Sequence, residues 1–141
     1  LIIDAFSSDA VPTHLLTVEA LRIYLKALKP DGVVVLHLSN RNLEITQPAI
    51  AAAAALGAPA LHQIYYEDEN QAANVEASTE ALLLAPTPAG TILFDVDPRW
   101  ETPRSTTVKP WTDDYTNLIG SLWRDLKTRL DFYLRKQNPE Q

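Results

Sequence analysis

The chain has no cysteine, no methionine and only four glycines among its 141 residues. Without cysteine it forms no disulfide, has no thiol nucleophile and offers no thiolate ligand to a metal. No apolar run approaches the ~20 residues that a helix needs to cross a bilayer. Acidic residues outnumber basic ones, and the net charge of −6 argues against nucleic acid as a partner, because phosphate binding needs a basic face.

The remaining composition is typical of one globular domain. The hydrophobic share of 46% argues against disorder, and the length suffices for one core. A natural reading frame begins with methionine, whereas this chain begins with Leu1 inside a predicted strand. We therefore expect the chain to be a fragment of a longer protein.

Apolar patterns predict an alternation of strands and helices. Unbroken apolar runs favour buried strands, and apolar residues at helical spacing favour helices. Strands are predicted at residues 1–3, 33–38, 60–66 and 79–85, and helices at about 17–28, from near Pro48 to Gly57, and at about 115–136. The first strand, helix and strand predict a unit whose two strands are adjacent and parallel.

Polar side chains follow the first two predicted strands. Asp4 ends the first strand, and His37 and Ser39 end the second. Ligands of open α/β sheets bind past the carboxyl ends of the strands, so Asp4 is placed for chemistry. The alternatives are that Asp4 caps a helix or forms a turn, that Asp9 is a turn or cap residue, that His37 is a core histidine with satisfied hydrogen bonds, and that Ser39 is a simple turn former.

Several segments resemble the spermidine synthase-like branch of the class I methyltransferase-fold proteins. The resemblance is greatest to bacterial members that carry this domain alone or fused to a membrane-embedded half, and it covers nearly the whole chain. It is carried by Asp-Ala-Phe-Ser-Ser-Asp-Ala-Val-Pro at 4–12, by residues 14–17 and 19–20, by Leu-Lys-Pro-Asp-Gly at 28–32, by His-Leu-Ser-Asn-Arg at 37–41 and by Trp-Thr-Asp-Asp-Tyr at 111–115. The first and last segments are fairly specific together, whereas many methyltransferases share Leu-Lys-Pro-Asp-Gly.

The resemblance implies a fold as well as a family. It implies an α/β protein with a partial Rossmann-like sheet of the S-adenosylmethionine methyltransferase type, mostly parallel, with flanking helices and a long C-terminal helix. Residues 1–141 then form the C-terminal half, with strands four to seven of seven. The glycine-rich loop and the acid that binds the cofactor ribose are expected upstream, since the four glycines here form no such loop.

The implied reaction moves an aminopropyl group from decarboxylated S-adenosylmethionine to a polyamine. In the family motif Asp-Ser-Ser-Asp-Pro, the first acid is the base for the attacking amine and the second helps to bind the diamine. Asp4 and Asp9 match these acids, although they lie five positions apart instead of three. His37, where spermidine synthases tend to have Gln, and Ser39 are expected to bind substrate, and Pro12 is expected to contact the cofactor.

Two other functions stay open at this point. One is methyl transfer from S-adenosylmethionine to a small molecule, and the other is a non-catalytic binding or assembly module. The chain alone is expected to be inactive and to bind neither form of the cofactor, and no metal site is expected. We expect a homodimer through the open sheet edge or the last helix, a cytoplasmic location, and a possible membrane-embedded half upstream.

Overall fold

The computed structural model describes residues 1–4, 12–39, 43–66 and 78–137. These segments form a sheet with surrounding helices, so the predicted α/β class is confirmed. The elements in chain order are β1 (Ile2–Ile3), α1 (Val18–Ala27), β2 (Val34–His37), α2 (Thr46–Ala55), β3 (Ala60–Tyr65), β4 (Thr79–Leu84), α3 (Ile92–Asp95) and α4 (Leu118–Gln137). Short 3-10 turns lie at Thr13–Leu15 and Pro88–Gly90.

The strands pair in the order β1-β2-β4-β3. β1 is parallel to β2, as predicted for the first strand–helix–strand unit. β4 is antiparallel to both of its neighbours, β2 and β3. It follows that β1, β2 and β3 run in one direction and that β4 alone is reversed. The carboxyl ends of the first three strands therefore meet at one edge of the sheet.

The prediction of a mostly parallel Rossmann-like sheet is not confirmed, because two of the three strand pairings are antiparallel. The difference comes from β4, which pairs with the strand directly before it in the chain. A parallel return needs a long crossover connection, whereas an antiparallel return needs only a loop. The sequence predicts a polar surface loop at residues 67–78 between these strands, and residues 67–77 of it lie outside the described residues.

α1 begins where the sequence predicts, because Thr17 caps it. The Thr17 side chain accepts a hydrogen bond from the Ala20 N–H at 3.2 Å, which satisfies one of the free donors of the first turn. Leu21 on the inner side of the helix is fully buried. The helix ends before Pro30, whose ring cannot continue it.

α2 carries the alanine run of the sequence. Ala49, Ala52 and Ala53 are at most 2% exposed, and such small side chains let the helix lie close to its neighbours. Pro48 lies in the first turn, where its missing N–H costs nothing. Gly57 follows the helix with a φ of 61°, a left-handed conformation that glycine adopts without strain.

The core lies between α1, α2 and one face of the sheet. Alternate residues of β2 and β4 supply its sheet side, namely Val34, Leu36, Leu82 and Leu84, and each of them is fully buried. This alternation follows from the period of two in a strand. The packing holds β2 as far as its last residue, His37, which directly follows Leu36.

The last helix begins later than the sequence predicts. The pattern predicts a start near Tyr115 with two aspartates just before it, whereas α4 begins at Leu118. The side-chain oxygen of Asn117 accepts the Gly120 N–H at 2.8 Å and so takes the capping role. Thr112 and Tyr115 pair through their backbones at 2.9 and 3.0 Å, which makes a tight turn of the residues predicted to start the helix.

α4 exposes a continuous row of apolar side chains. Near its start, Arg124 and Glu44 form an ion pair of 3.0 Å, and Ser121 is fully buried. The exposed row, which we call the α4 apolar stripe, has side chains that are 43–83% exposed. It consists of Leu118, Ile119, Leu122, Trp123, Leu126, Leu130 and Leu134.

Candidate functional site

Asp4 and His37 meet where β1 and β2 end. In the parallel register Ile3 lies opposite Leu36, so the next residue of each chain segment is a neighbour of the other. Asp4 Oδ1 lies 2.8 Å from His37 Nδ1. Each polar residue follows a short apolar run, and the pairing of these two runs brings together side chains 33 positions apart in the chain.

Ser39 extends this contact into a chain of hydrogen bonds. Its Oγ lies 2.8 Å from His37 Nε2 and accepts the backbone N–H of Glu80, also at 2.8 Å. Glu80 belongs to β4, so the reversed strand holds the serine hydroxyl in place. We call Asp4, His37 and Ser39 the strand-tip cluster.

The strand-tip cluster is open to solvent on its acidic side. The side chain of Asp4 is 63% exposed and that of His37 is 35% exposed. His37 is therefore partly covered, and both of its ring nitrogens have hydrogen-bond partners. The capping alternative for Asp4 would need a bond to the start of a helix, whereas the bond described for this carboxylate is to His37. A ligand in solvent can therefore reach the carboxylate.

Two further residues predicted for the site are not brought to this cluster by the described structure. Asp9 lies outside the described residues, so its role in substrate binding stays a prediction. Pro12 is half-buried, and its carbonyl oxygen accepts the Leu15 N–H at 2.9 Å at the start of the turn before α1. The role of Pro12 in cofactor binding also stays a prediction.

A second pair of carboxylates lies at the start of α1, and the sequence analysis missed it. Asp113 Oδ1 accepts the Thr17 hydroxyl at 2.8 Å, and the Asp113 N–H donates to Glu19 Oε2 at 3.1 Å. These three residues help to line a cavity of about 420 Å³. The segment at 111–115 was a signal for it, but the contact joins residues 96 positions apart and no local pattern encodes that pairing.

His62 lies on the edge strand β3, and its side chain is largely covered. His62 Nε2 lies 2.8 Å from Glu80 Oε1, and the two side chains are only 18% and 29% exposed. Glu101 pairs with His62 through two backbone hydrogen bonds of 2.7 and 2.9 Å. This backbone pairing covers the outer edge of β3 at His62.

The chain offers little to hold the nucleoside end of a donor. Its four glycines lie apart, in the turn before β2, after α2, in the second 3-10 turn and inside α4. Dinucleotide sites of α/β sheets use a glycine-rich turn directly after a strand and an acid for the ribose. Among the described residues, no glycine-rich turn follows a strand. In the described segments, no group of three histidine or acidic residues could hold a metal ion.

Comparison of the chain with family models, with curated proteins and with solved structures found no match. Within the part of the chain that the structure describes, no helix combines the length and apolar character needed to span a membrane. The function of the chain is therefore inferred from the geometry of the strand-tip cluster and from the sequence motifs.

Proposed function

We propose that the chain is the amine-handling half of a spermidine synthase-like transferase, which moves an aminopropyl group from decarboxylated S-adenosylmethionine to a polyamine. One observation carries the proposal. The exposed carboxylate of Asp4 stands past the end of β1, where it is held by a hydrogen bond with His37. This is the edge at which open α/β sheets bind their ligands.

A carboxylate suits this reaction for two reasons. An alkylamine has a pKa near the ~10.4 of lysine, so it arrives as a cation that a carboxylate attracts. The amine attacks only after it has lost a proton, and a positioned base raises the rate by about 10²–10⁴. The nitrogen then attacks the carbon next to the sulfonium, and the breaking C–S bond leaves its electron pair on sulfur. Asp4 binds His37 through Oδ1, and among the described residues Oδ2 has no partner.

The strand directions support the same proposal. Under the resemblance, the four strands are the fourth to seventh of a seven-stranded sheet, and three earlier strands would continue it at the open side of β1. If those strands were parallel to β1, β4 would be the one reversed strand of the sheet. Mixed sheets are common among large doubly wound folds, so one reversed strand is compatible with the proposal. The mostly parallel Rossmann-like sheet, and the donor site upstream of the motifs, are parts of this proposal.

A second copy of the chain is the proposed partner of the α4 apolar stripe. The stripe runs along one side of the helix, and two copies related by a two-fold axis would bury the same side chains in each other. Light scattering at high concentration tests this. Trp123→Glu, in the middle of the stripe and 67% exposed in one copy, should shift a dimer to monomer. A wild-type chain that stays monomeric contradicts the proposed dimer.

The transferase proposal is tested with the whole protein that carries this sequence, assayed with decarboxylated S-adenosylmethionine and a panel of polyamines. We expect Asp4→Asn to lower the rate by about 10²–10⁴ while calorimetry shows unchanged donor binding. Asp31→Asn is the matched control, because Asp31 is exposed in the turn before β2, at the opposite edge of the sheet. This variant should keep the full rate.

Three results would change the assignment. A wild-type protein that forms no product with any polyamine rejects the transferase. Tighter binding of S-adenosylmethionine than of its decarboxylated form points to methyl transfer. Normal cellular function of an Asp4→Ala protein points to a non-catalytic module.

A further inference from the structure

The hydrogen bonds of the strand-tip cluster determine where its protons lie when His37 is neutral. A carboxylate only accepts hydrogen bonds, so the 2.8 Å contact with Asp4 places the imidazole proton on His37 Nδ1. His37 Nε2 is then an acceptor. Its 2.8 Å contact with Ser39 Oγ must be donated by the serine hydroxyl.

One acceptor position of the strand-tip cluster has no partner among the described residues. A hydroxyl has one donor and two acceptor positions. Ser39 donates to His37, and one of its acceptor positions receives the Glu80 N–H at 2.8 Å. Among the described residues no partner takes the second acceptor position of Ser39 Oγ, so an N–H of a ligand can use it. The exposed carboxylate of Asp4, at the far end of the same chain of bonds, adds the negative charge that attracts a cation.

We propose that Ser39, His37 and Asp4 form a proton relay that takes the proton of the acceptor amine at Ser39 and stores it on His37. The relay deepens the proposed function and rests on it, since the amine is the acceptor of that reaction. The ammonium N–H bond breaks and its proton goes to Ser39 Oγ, while the Ser39 hydroxyl proton passes to His37 Nε2. The nitrogen keeps the electron pair of the broken bond, Ser39 stays neutral, and His37 becomes an imidazolium.

In the relay, each of the three residues has a different role from the one it would have if Asp4 alone were the base. Ser39 is the residue that touches the substrate. His37 stores the proton, because imidazole is the side chain that gains and loses a proton near neutral pH. Asp4 is a positioning residue that holds the Nδ1–H form of His37 and faces the imidazolium with a negative charge. The backbone of β4 fixes Ser39 through the Glu80 N–H.

Nitrogen-15 NMR of the 141-residue chain tests the proton positions directly. The chain has three histidines, so the His37 signals are identified by their loss in His37→Gln. We expect neutral His37 to carry its proton on Nδ1, and Asp4→Asn to remove that preference. A proton on Nε2 of the wild-type residue overturns the relay.

The same signals test where an amine docks. Titration with 1,4-diaminobutane should shift the His37 resonances in the wild type and in Ser39→Thr, which keeps the hydroxyl. Ser39→Ala lacks the acceptor and should show no such shift. An equal shift in Ser39→Ala overturns the proposed contact between the amine and Ser39.

Turnover by the whole protein separates the relay from a single carboxylate base. His37→Gln still donates an N–H to Asp4 but cannot take a proton, so its kcat should fall by about 10² or more while KM for the amine hardly changes. Ser39→Ala should lower kcat as well and should also raise KM for the amine, because it loses the contact with the substrate, and Ser39→Thr should recover most of the rate. Full turnover in His37→Gln together with loss in Asp4→Asn overturns the relay and leaves Asp4 as the base of the proposed transferase. A wild type without any turnover rejects the transferase and the relay with it, because the relay takes its proton from the acceptor amine of that reaction.

Discussion

Among the described residues, two histidine–carboxylate pairs have the same length but different surroundings. His37–Asp4 and His62–Glu80 each have a nitrogen–oxygen distance of 2.8 Å. The first pair lies past the ends of two parallel strands, and its carboxylate side chain is 63% exposed. The second pair joins the neighbouring antiparallel strands β3 and β4 inside the sheet, and neither side chain is more than 29% exposed.

The comparison indicates that the position of a histidine–carboxylate pair in the sheet determines whether it stabilises the fold or is accessible to a ligand. A diagonal pair on one face of adjacent strands stabilises the sheet, and breaking a covered pair leaves its partner without a hydrogen bond. An exposed pair contributes little to stability, because solvent screens it and can replace either partner. The pair at the strand ends is therefore free to serve a ligand, and the pair within the sheet is expected to serve the fold.

The largest effect is expected from removing the support that both pairs share. Leu36 is fully buried, precedes His37 in β2 and lies opposite Leu82 of β4. Leu36→Ala should lower the free energy of unfolding by about 2–5 kcal/mol, measured by urea denaturation. The control is Leu93→Ala, because Leu93 is 81% exposed and its loss should change stability by less than about 0.5 kcal/mol. Equal losses in the two variants would contradict the core described here.

A smaller effect on the free energy of unfolding should distinguish the two histidine–carboxylate pairs. His62→Ala leaves the partly covered Glu80 carboxylate without its partner and should lower the free energy of unfolding by about 1–3 kcal/mol. His37→Ala should cost less than about 1 kcal/mol, because water can solvate the exposed Asp4 carboxylate. Denaturant midpoints of both variants provide the measurement. The reverse order would mean that the pair at the strand ends is the structural one.

The carboxylate of Asp113 extends the comparison, since its partner is a buried hydroxyl and not a histidine. Thr17 is 1% exposed, donates to Asp113 and caps α1. Thr17→Ala should cost about 1 kcal/mol, within a usual range of about 0.5–2 kcal/mol for a lost N-cap. Thr17→Ser keeps the hydroxyl and should stay close to the wild type in the same denaturation assay. A serine variant as unstable as the alanine variant would show that the hydroxyl is not what stabilises the helix.

The smallest effect is expected at the ion pair of Arg99 and Asp97, which lies neither at a strand end nor within the sheet. The side-chain hydrogen bond from Arg99 lowers the pKa of Asp97 from 3.8 to about 2, and the side chains of Arg99 and Asp97 are 73% and 26% exposed. A pKa that is lower in the folded state means that the stabilisation is present above pH 3.8 and is lost as the pH falls through about 2. Asp97→Asn should therefore flatten the decline of the denaturation midpoint over this interval. An unchanged decline, with Asp31→Asn as the control, would contradict the lowered pKa.

Most of the elements could be predicted from local sequence. The four apolar runs became the four strands, and the cap at Thr17 and the stop at Gly57 lie where the helices begin and end. These signals act within one or two turns of the chain, so they can be read without the rest of the fold. The predicted start of α4 is wrong because the backbones of Thr112 and Tyr115 pair in a tight turn just before the helix. The apolar spacing of α4 does not indicate this turn.

The sequence by itself determined that Asp4, His37 and Ser39 each follow a strand end, because an apolar run that stops at a polar residue is a local property. Only the tertiary structure decided that the three share one chain of hydrogen bonds. Asp4 reaches His37 across 33 positions, and Ser39 reaches Glu80 across 41. The first contact depends on the parallel pairing of β1 with β2, and the second depends on the insertion of the reversed β4 between β2 and β3. Strand order is set by the packing of the whole sheet, so no segment of the chain encodes it alone.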